Sequence, residues 1–418
     1  MSKFEEFDFF PLEGQPYFDN DRFWISPLNF LPENLVGIPD KIQIHDCTLR
    51  DGEQTPRVSF TKNERIRIAQ QLNELGVDRI ELGMPIISED LRDAIKQIVK
   101  MGFKSKTVAF ARANPEDVKL SVECGVQDII IEHTVNPYMI KYAYGLDEDG
   151  VKKRIFDNIA VAKKAGLWTC FMGWDFSRVP LEYSRKLYQA AVDAGADALT
   201  IVDTFALATP QAIGYAVRQM KEWFPGIQLE FHVHNDFGMG MATSMAAVQN
   251  GATVVHTAMN SLGERTGNVA TEEVATTFGL LMGNRTNVDL SKLYETSRVV
   301  SDITGIYPSV NKTVFGGNCF GIESGVITHY TEALRNVGFQ PIAYPYLPHV
   351  VGRKEENYFI GYLSGKQTID FYLKRNGYED ATPEQREKVL DAVKQECFVR
   401  KALLSEEDFI ALVKRTLK

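Results

Sequence analysis

Long apolar runs are missing from this chain of 418 residues: no stretch of about 18 apolar residues occurs, so no membrane-spanning helix is expected. Basic excess is missing too. Lys and Arg number 46 against 55 Asp and Glu, a formal net charge of −9. That speaks against a nucleic-acid surface or an anionic membrane as partner. Cysteine is scarce: Cys47, Cys124, Cys170, Cys319 and Cys397 are scattered, with no CxxC pair. Such spacing argues against structural zinc and a disulfide framework, and it suits a reducing cytosol. The stretch from Met1 to Glu6 has acidic residues where a secretory signal is basic and then apolar, so a cytoplasmic protein is expected. No GxGxxG follows the first β-rich run, which weakens a dinucleotide-binding reading.

What is present is ordinary globular composition, 44% hydrophobic and 24% charged. Residues 1–40 lack a clear period but carry Phe9, Phe10, Tyr17, Phe18, Phe23, Trp24 and Phe30, too many aromatics for a disordered tail. They read as an irregular arm that packs on the body or on a partner subunit. From Lys41 a beat begins: a short β-rich run, a turn, an amphipathic helix. The runs are 42–47, 77–82, 107–110, 128–132, 168–172, 198–202, 228–234 and 253–257. Between them apolar residues recur at helical spacing, as at Ile66, Ala69, Leu72 and Leu75. Glycines at 76, 125, 166, 195 and 251 fit helix C-terminal caps. Eight such units over 41–285 predict an α/β fold, a (β/α)₈ TIM barrel, with a doubly wound open sheet as the alternative. After Gly283 the beat stops, and 286–418 reads as a small, mostly α C-terminal region with helices over 290–303, 323–337, 357–375, 383–396 and 405–417.

Chemistry concentrates in Phe231-His232-Val233-His234-Asn235-Asp236. Side chains at i and i+2 of a strand share a side, so His232 and His234 present two imidazoles together, as a divalent ion requires. One core histidine and one hydrogen-bonded histidine is the other reading. In a barrel, residues at the C-terminal strand ends build the site. Two more segments fall there: Asp46-Cys47-Thr48-Leu49-Arg50-Asp51-Gly52-Glu53-Gln54-Thr55-Pro56 after the first strand, and Gly263-Glu264-Arg265-Thr266-Gly267-Asn268 after the eighth. Strands seven, eight and one are contiguous in a closed barrel, so the three segments converge.

Together these motifs resemble the DRE-TIM metallolyase superfamily, which includes 2-isopropylmalate, homocitrate, citramalate and Re-type citrate synthases and HMG-CoA lyase. The resemblance is strong over 41–285. It continues more weakly to about residue 377 through Glu323-Ser324-Gly325 and Val351-Gly352-Arg353. It implies a divalent cation (Mn²⁺, Mg²⁺, Co²⁺ or Zn²⁺) on Asp51, His232 and His234, with Asn268 as a further ligand. Arg50 is implied to stabilise an enolate or alkoxide oxygen, and Thr204 to hold the oxo-acid carboxylate. Glu81, Arg112 and Gln54 are implied to line the site. Structural roles are the alternatives: a rim salt bridge for Arg50, a turn cap for Thr204, buried pairing for Glu81 and Arg112. The strand-8 loop has no cysteine, unlike that of HMG-CoA lyase-like enzymes, which favours carbon–carbon bond formation. The family also implies acetyl-CoA as co-substrate and a homodimer.

The chain departs from the family where the oxo acid is recognised. Met139 takes a histidine position, Val179 a glutamate position, and Ile327 the place of a histidine, with His329 two residues on. Asp175 and His329 are the candidates for the base. Arg57 and Arg178 are candidates to pair with a second substrate carboxylate. That favours oxaloacetate, then 2-oxoglutarate or 2-oxoisovalerate. The expected reaction is a Claisen-type condensation of acetyl-CoA with a 2-oxo acid. A retro-aldol or retro-Claisen lyase and a non-catalytic metal-binding barrel are the alternatives.

Overall fold

The computed structural model describes residues 6–354 and 356–417; the acidic stretch at the very start of the chain lies outside them, apart from Glu6. Two compact units emerge. One is Leu28–Pro308, and the other joins the described residues through Pro27 to those from Ser309 onward. These boundaries differ from divisions at 40 and 285, because the second unit is assembled from both ends of the chain.

The first unit is the expected barrel. Eight parallel strands close it: β1 (Gln43–Asp46), β2 (Arg79–Glu81), β3 (Lys106–Arg112), β4 (Asp128–Thr134), β5 (Trp168–Trp174), β6 (Ala198–Asp203), β7 (Gln228–Val233) and β8 (Val254–Thr257). Closure is set by β8, whose Thr257 pairs with Asp46 and whose Val255 pairs with Phe231. Strands buried on both faces read as near-continuous apolar runs, and all six residues of β6 are buried. Helices follow most strands, among them α1 (Lys62–Leu75), α2 (Glu89–Lys100), α3 (Pro115–Glu123), α4 (Glu148–Lys164), α5 (Leu181–Asp193), α6 (Pro210–Trp223) and α7 (Gly240–Gln249). The start of α1 is fixed by a capping box between Thr61 and Glu64, which satisfies two orphan backbone donors. No described helix is long and apolar enough to cross a membrane.

The barrel interior is divided chemically. Between β3 and β6 it is apolar: Val108, Phe110, Ile130, Cys170, Met172, Ala198 and Val202 pack together. On the β7–β8–β1–β2 side it is ionic. The rings of His45 and His256 stack 4.2 Å apart, each against a carboxylate: His45 with Glu81 at 3.3 Å, His256 with Glu230 at 2.7 Å. Arg79 binds Glu230 and lies 3.9 Å over the Trp168 ring. Buried ions persist only when paired in this way.

In the other unit, strands Phe18–Asp19 and Phe23–Trp24 form a small hairpin. Its aromatics meet the C-terminal part of the same unit, Phe18 and Trp24 lying 5.5 and 5.3 Å from Phe339 between ring centres. Asn20 Nδ2 donates to the Gly338 carbonyl at 2.9 Å. Helices α8 (Gly325–Arg335), α9 (Lys366–Arg375), α10 (Pro383–Arg400) and α11 (Glu406–Thr416) complete it. The helix expected over 357–375 starts only at Lys366. Its first part is instead a strand, Asn357–Tyr358, paired with Gly321–Ile322, and a turn through Gly361 and Gly365.

Candidate metal centre and its cavity

The turn after β1 is built on Asp46. Its carboxylate accepts from Thr48 N at 2.9 Å and from Thr271 Oγ1 at 2.6 Å, while Thr48 Oγ1 accepts from Met259 N at 2.9 Å. Burial pushes the Asp46 carboxyl up to about 6 against those hydrogen bonds. The turn so fixed places Asp51 facing the end of β7. There Nε2 of His232 and Nε2 of His234 stand 3.4 Å apart, and Asp51 Oδ2 lies 3.4 and 3.6 Å from them. All three residues are buried. A triangle of that size is one whose corners a single ion reaches together through bonds of ~2.0–2.2 Å. Asp51 Oδ1 and Asn268 Oδ1 are buried with no hydrogen-bond partner among the described residues. Two imidazoles, a carboxylate and a carboxamide make the mixed N/O donor set that suits a divalent cation with open positions.

The electrostatics agree. Burial would raise the Asp51 carboxyl, but Arg50 and then His232 hold it well below the usual carboxylate range. Burial lowers both histidines, His234 to about 4, so both offer neutral ring nitrogens. Cys47 is near Asp51 and His232, yet its thiol donates to Thr257 O at 3.0 Å and burial raises it far above its ordinary range. It is a packed thiol, not a thiolate ligand.

The strand-8 loop admits no side chain at Gly263. Its φ is +141°, and a Cβ there would lie 2.3 Å from Asn268 Nδ2 and 3.2 Å from Asp51 Oδ1. A backbone bridge joins His234 to Asn268.

Arg50 is aimed by acids. Nε donates to Glu81 Oε1 at 2.6 Å, Nη2 to Glu81 Oε2 at 3.4 Å and Nη1 to Asp51 Oδ2 at 3.0 Å. Three of its five N–H groups are thus used and two remain. Its guanidinium lies 4.4 Å over the Phe110 ring. Burial opposes ionisation of Glu81, yet Arg50 and His45 bring that carboxyl down to about 2.

A cavity of about 240 Å³ opens beside these groups. Asp51, His232 and His234 line it with Arg50 and Gln54 from the β1 turn. Its walls are Met84, Phe110, Arg112, Glu132, Met172, Trp174, Val202, Thr204 and Glu264. Thr204 is held firmly: Oγ1 accepts from Asp175 N at 2.8 Å, and its carbonyl accepts from Arg265 Nη2. The guanidinium groups of Arg178 and Arg265 both lie against the ring of the next residue, Phe205, at 4.2 and 4.8 Å from its centre.

Several candidates stand elsewhere. Arg57 is exposed in a left-handed turn, φ +75°, and does not line the cavity. Arg178 is captured by Asp175, Nε to Oδ1 and Nη2 to Oδ2, both at 2.7 Å. Asn136 Nδ2 also donates to Asp175 Oδ2 at 2.7 Å. Both oxygens of Asp175 are therefore occupied and it is absent from the cavity wall, so it acts as a latch between the loops after β4 and β5. Arg112 reaches the wall, but both oxygens of Asp117 hold it, at 2.8 and 3.0 Å. Glu81 lies behind Arg50 and off the cavity wall. His329 belongs to the other unit, exposed on α8, with Gln367 Nε2 3.5 Å from its Nδ1. Residues missed from sequence include Glu132, Phe110, Trp174 and the His45–His256 layer. The alternation of β4 carries a signal for the first, since Ile130 and Glu132 share the inner side.

Known proteins resemble this chain in sequence and in fold. Residues 41–300 match the model of the HMGL-like family. A probable 2-isopropylmalate synthase of Ignicoccus hospitalis is 37% identical over 366 residues, 87% of this chain and 90% of its own. Homocitrate synthase AksA of Methanocaldococcus jannaschii is 35% identical over 383 residues, 90% of this chain and 91% of its own. Among solved structures, HMG-CoA lyase of Bacillus subtilis superposes with a TM-score of 0.59 at 22% identity, covering 65% of this chain and 96% of that one.

Proposed function

The chain belongs to the HMGL-like family, and from that premise we propose that it condenses acetyl-CoA with a 2-oxo acid held on a divalent cation, and that water then cleaves the resulting thioester to release CoA and a 2-hydroxy acid carrying the new carboxylate. The observation that carries the proposal is the triangle of Asp51, His232 and His234 opening onto a cavity that Arg50 and Thr204 share. Asp51, His232 and His234 would hold the cation, with Asn268 beside them. Bound there, it supplies Lewis-acid polarisation of the ketone. The two free N–H groups of Arg50 receive the enolate oxygen that forms when the acetyl methyl group loses a proton. Fixed through its own oxygen by Asp175 N, the Thr204 hydroxyl keeps its hydrogen for the substrate carboxylate.

The names of both relatives support a synthase, and the cysteine-free strand-8 loop supports the same direction over cleavage. Oxaloacetate loses its support. Arg57 and Arg178, expected to take its second carboxylate, do not line the cavity, and neither relative's name points to it. The test is release of free thiol from acetyl-CoA by purified protein, with Mn²⁺ or Mg²⁺, across a panel of 2-oxo acids. Release that depends on the oxo acid supports the proposal, and none with any of them overturns it.

A further inference from the structure

The cavity contains a carboxyl group that neither metal binding nor enolate stabilisation uses. Ile130 on β4 packs into the apolar layer with Phe110, Cys170 and Met172. Two residues on, on the same side of the strand, Glu132 ends that layer and lines the cavity. In register it stands between Arg112 on β3 and Met172 on β5. No hydrogen bond or ion pair reaches its carboxyl among the described residues. Arg50 and Arg112 are the cations facing it, and burial, larger than their pull, moves the group up to about 7. Neither arginine hydrogen-bonds it: Arg50 is turned to Glu81 and Asp51 and keeps only the two N–H groups assigned to the enolate oxygen, and Arg112 donates through Nε and Nη2 to Asp117.

We propose that Glu132 is a specificity-determining residue that selects 2-oxo acids whose side chain ends in a neutral hydrogen-bond donor, a hydroxyl or an amide. The inference rests on the condensation reading for the 2-oxo acid itself. Three kinds of side-chain end are disfavoured by what the cavity holds. An apolar end leaves the Glu132 carboxyl buried without a partner. A carboxylate end meets Glu132 as a like charge wherever that carboxyl is ionised, above about pH 7, with Arg57 and Arg178 elsewhere and Arg112 held by Asp117 through Nε and Nη2. A cationic end meets Arg50 and Arg112. A neutral donor pairs with Glu132 and offends neither arginine. Sites that hydrogen-bond a substrate group reject analogues lacking it far more strongly than apolar pockets reject a methylene. Phe110, Met172 and Trp174 give such a side chain an apolar path to the carboxyl.

Calorimetric titration of the Mg²⁺-loaded protein with matched oxo acids at about pH 8, where Glu132 is ionised, tests this. The sets are 3-hydroxypyruvate against 2-oxobutanoate; 2-oxosuccinamate against oxaloacetate and 4-methyl-2-oxopentanoate; and 4-hydroxyphenylpyruvate against phenylpyruvate. In at least one set the donor-bearing member is expected to bind about 10-fold tighter than its counterparts. Glu132→Leu removes that difference. Glu132→Gln, which keeps an acceptor but no charge, retains the preference over the apolar member and admits oxaloacetate. Thermal unfolding of both variants serves as the control; Glu132→Leu places an apolar group beside Met172 and is expected to melt no lower than the wild type. Equal or tighter binding of the apolar or anionic members in every set overturns the inference. So does a preference that survives Glu132→Leu, or the absence of any binding at millimolar concentration. Thiol release with aliphatic oxo acids alone leaves the condensation standing while this inference falls. A donor preference in binding without thiol release does the reverse.

Discussion

Arg50 shows how much a single side chain is asked to do. It braces Asp51, is braced by Glu81, and has two N–H groups free for a developing oxyanion. A lysine would keep the charge and lose the planar fork. Arg50→Lys is expected to lower kcat by about 10²-fold, with the KM for the oxo acid changed far less, in steady-state assays of thiol release. An unchanged kcat would mean that Arg50 only braces Asp51. Glu132 gives a prediction for stability. Its carboxyl is raised in the folded protein, to about 7 from an ordinary 4.5. The folded state therefore binds a proton more tightly than the unfolded state. The stability this contributes is complete below about pH 4.5 and is lost as pH rises through 7. Denaturant unfolding of the wild type is expected to fall relative to Glu132→Gln by ~1–3 kcal/mol between pH 5 and pH 8. Parallel pH profiles would contradict that. In sequence, His232 and His234 were legible because strand geometry alone puts them together. The free carboxyl of Glu132 was not, because periodicity marks a side of a strand and says nothing of which partners reach it. Arg178 looked available for the same reason, and Asp175 three residues earlier had already claimed it.

At the scale of elements, the strands were legible because burial on both faces leaves an unbroken apolar run. The helix over 357–375 was misread at its start, since Tyr358 belongs to a strand paired with Ile322. That pairing is non-local and leaves no periodic trace. Two glycines control how closely α8 and α9 approach: a Cβ on Gly365 would lie 2.7 Å from the Gly325 Cα. Gly365→Ala is expected to cost about 1–3 kcal/mol by forcing these helices apart, read as a lowered denaturation midpoint. An unchanged midpoint would show that the helices separate freely. The strand-8 loop makes a parallel case within the barrel. Gly263→Ala is expected to weaken Mn²⁺ binding at least ~10-fold, measured by electron paramagnetic resonance, because the new methyl group displaces Asn268 and crowds Asp51.

The whole molecule is divided more subtly than composition suggests. The aromatic arm, read as packing on the body or on a partner, joins the C-terminal segments through Phe339 and Gly338. Which distant stretch an arm meets is a tertiary fact without a local signal. The second unit also exposes Val326, Tyr330, Tyr362, Leu363, Phe398 and Val399. Apolar exposure of this kind fits burial against a second copy of the chain. Light scattering coupled to size exclusion is expected to give twice the mass of one chain, and a monomer at micromolar concentration would contradict the homodimer. The central claim is that condensation depends on the cation triangle. The most direct measurement is thiol release from acetyl-CoA with a 2-oxo acid, before and after chelation and restoration of Mn²⁺, in wild type and Asp51→Asn. Release is predicted to stop on chelation, return with Mn²⁺, and stay absent in Asp51→Asn. Release indifferent to chelation, or equal in the two proteins, would contradict it.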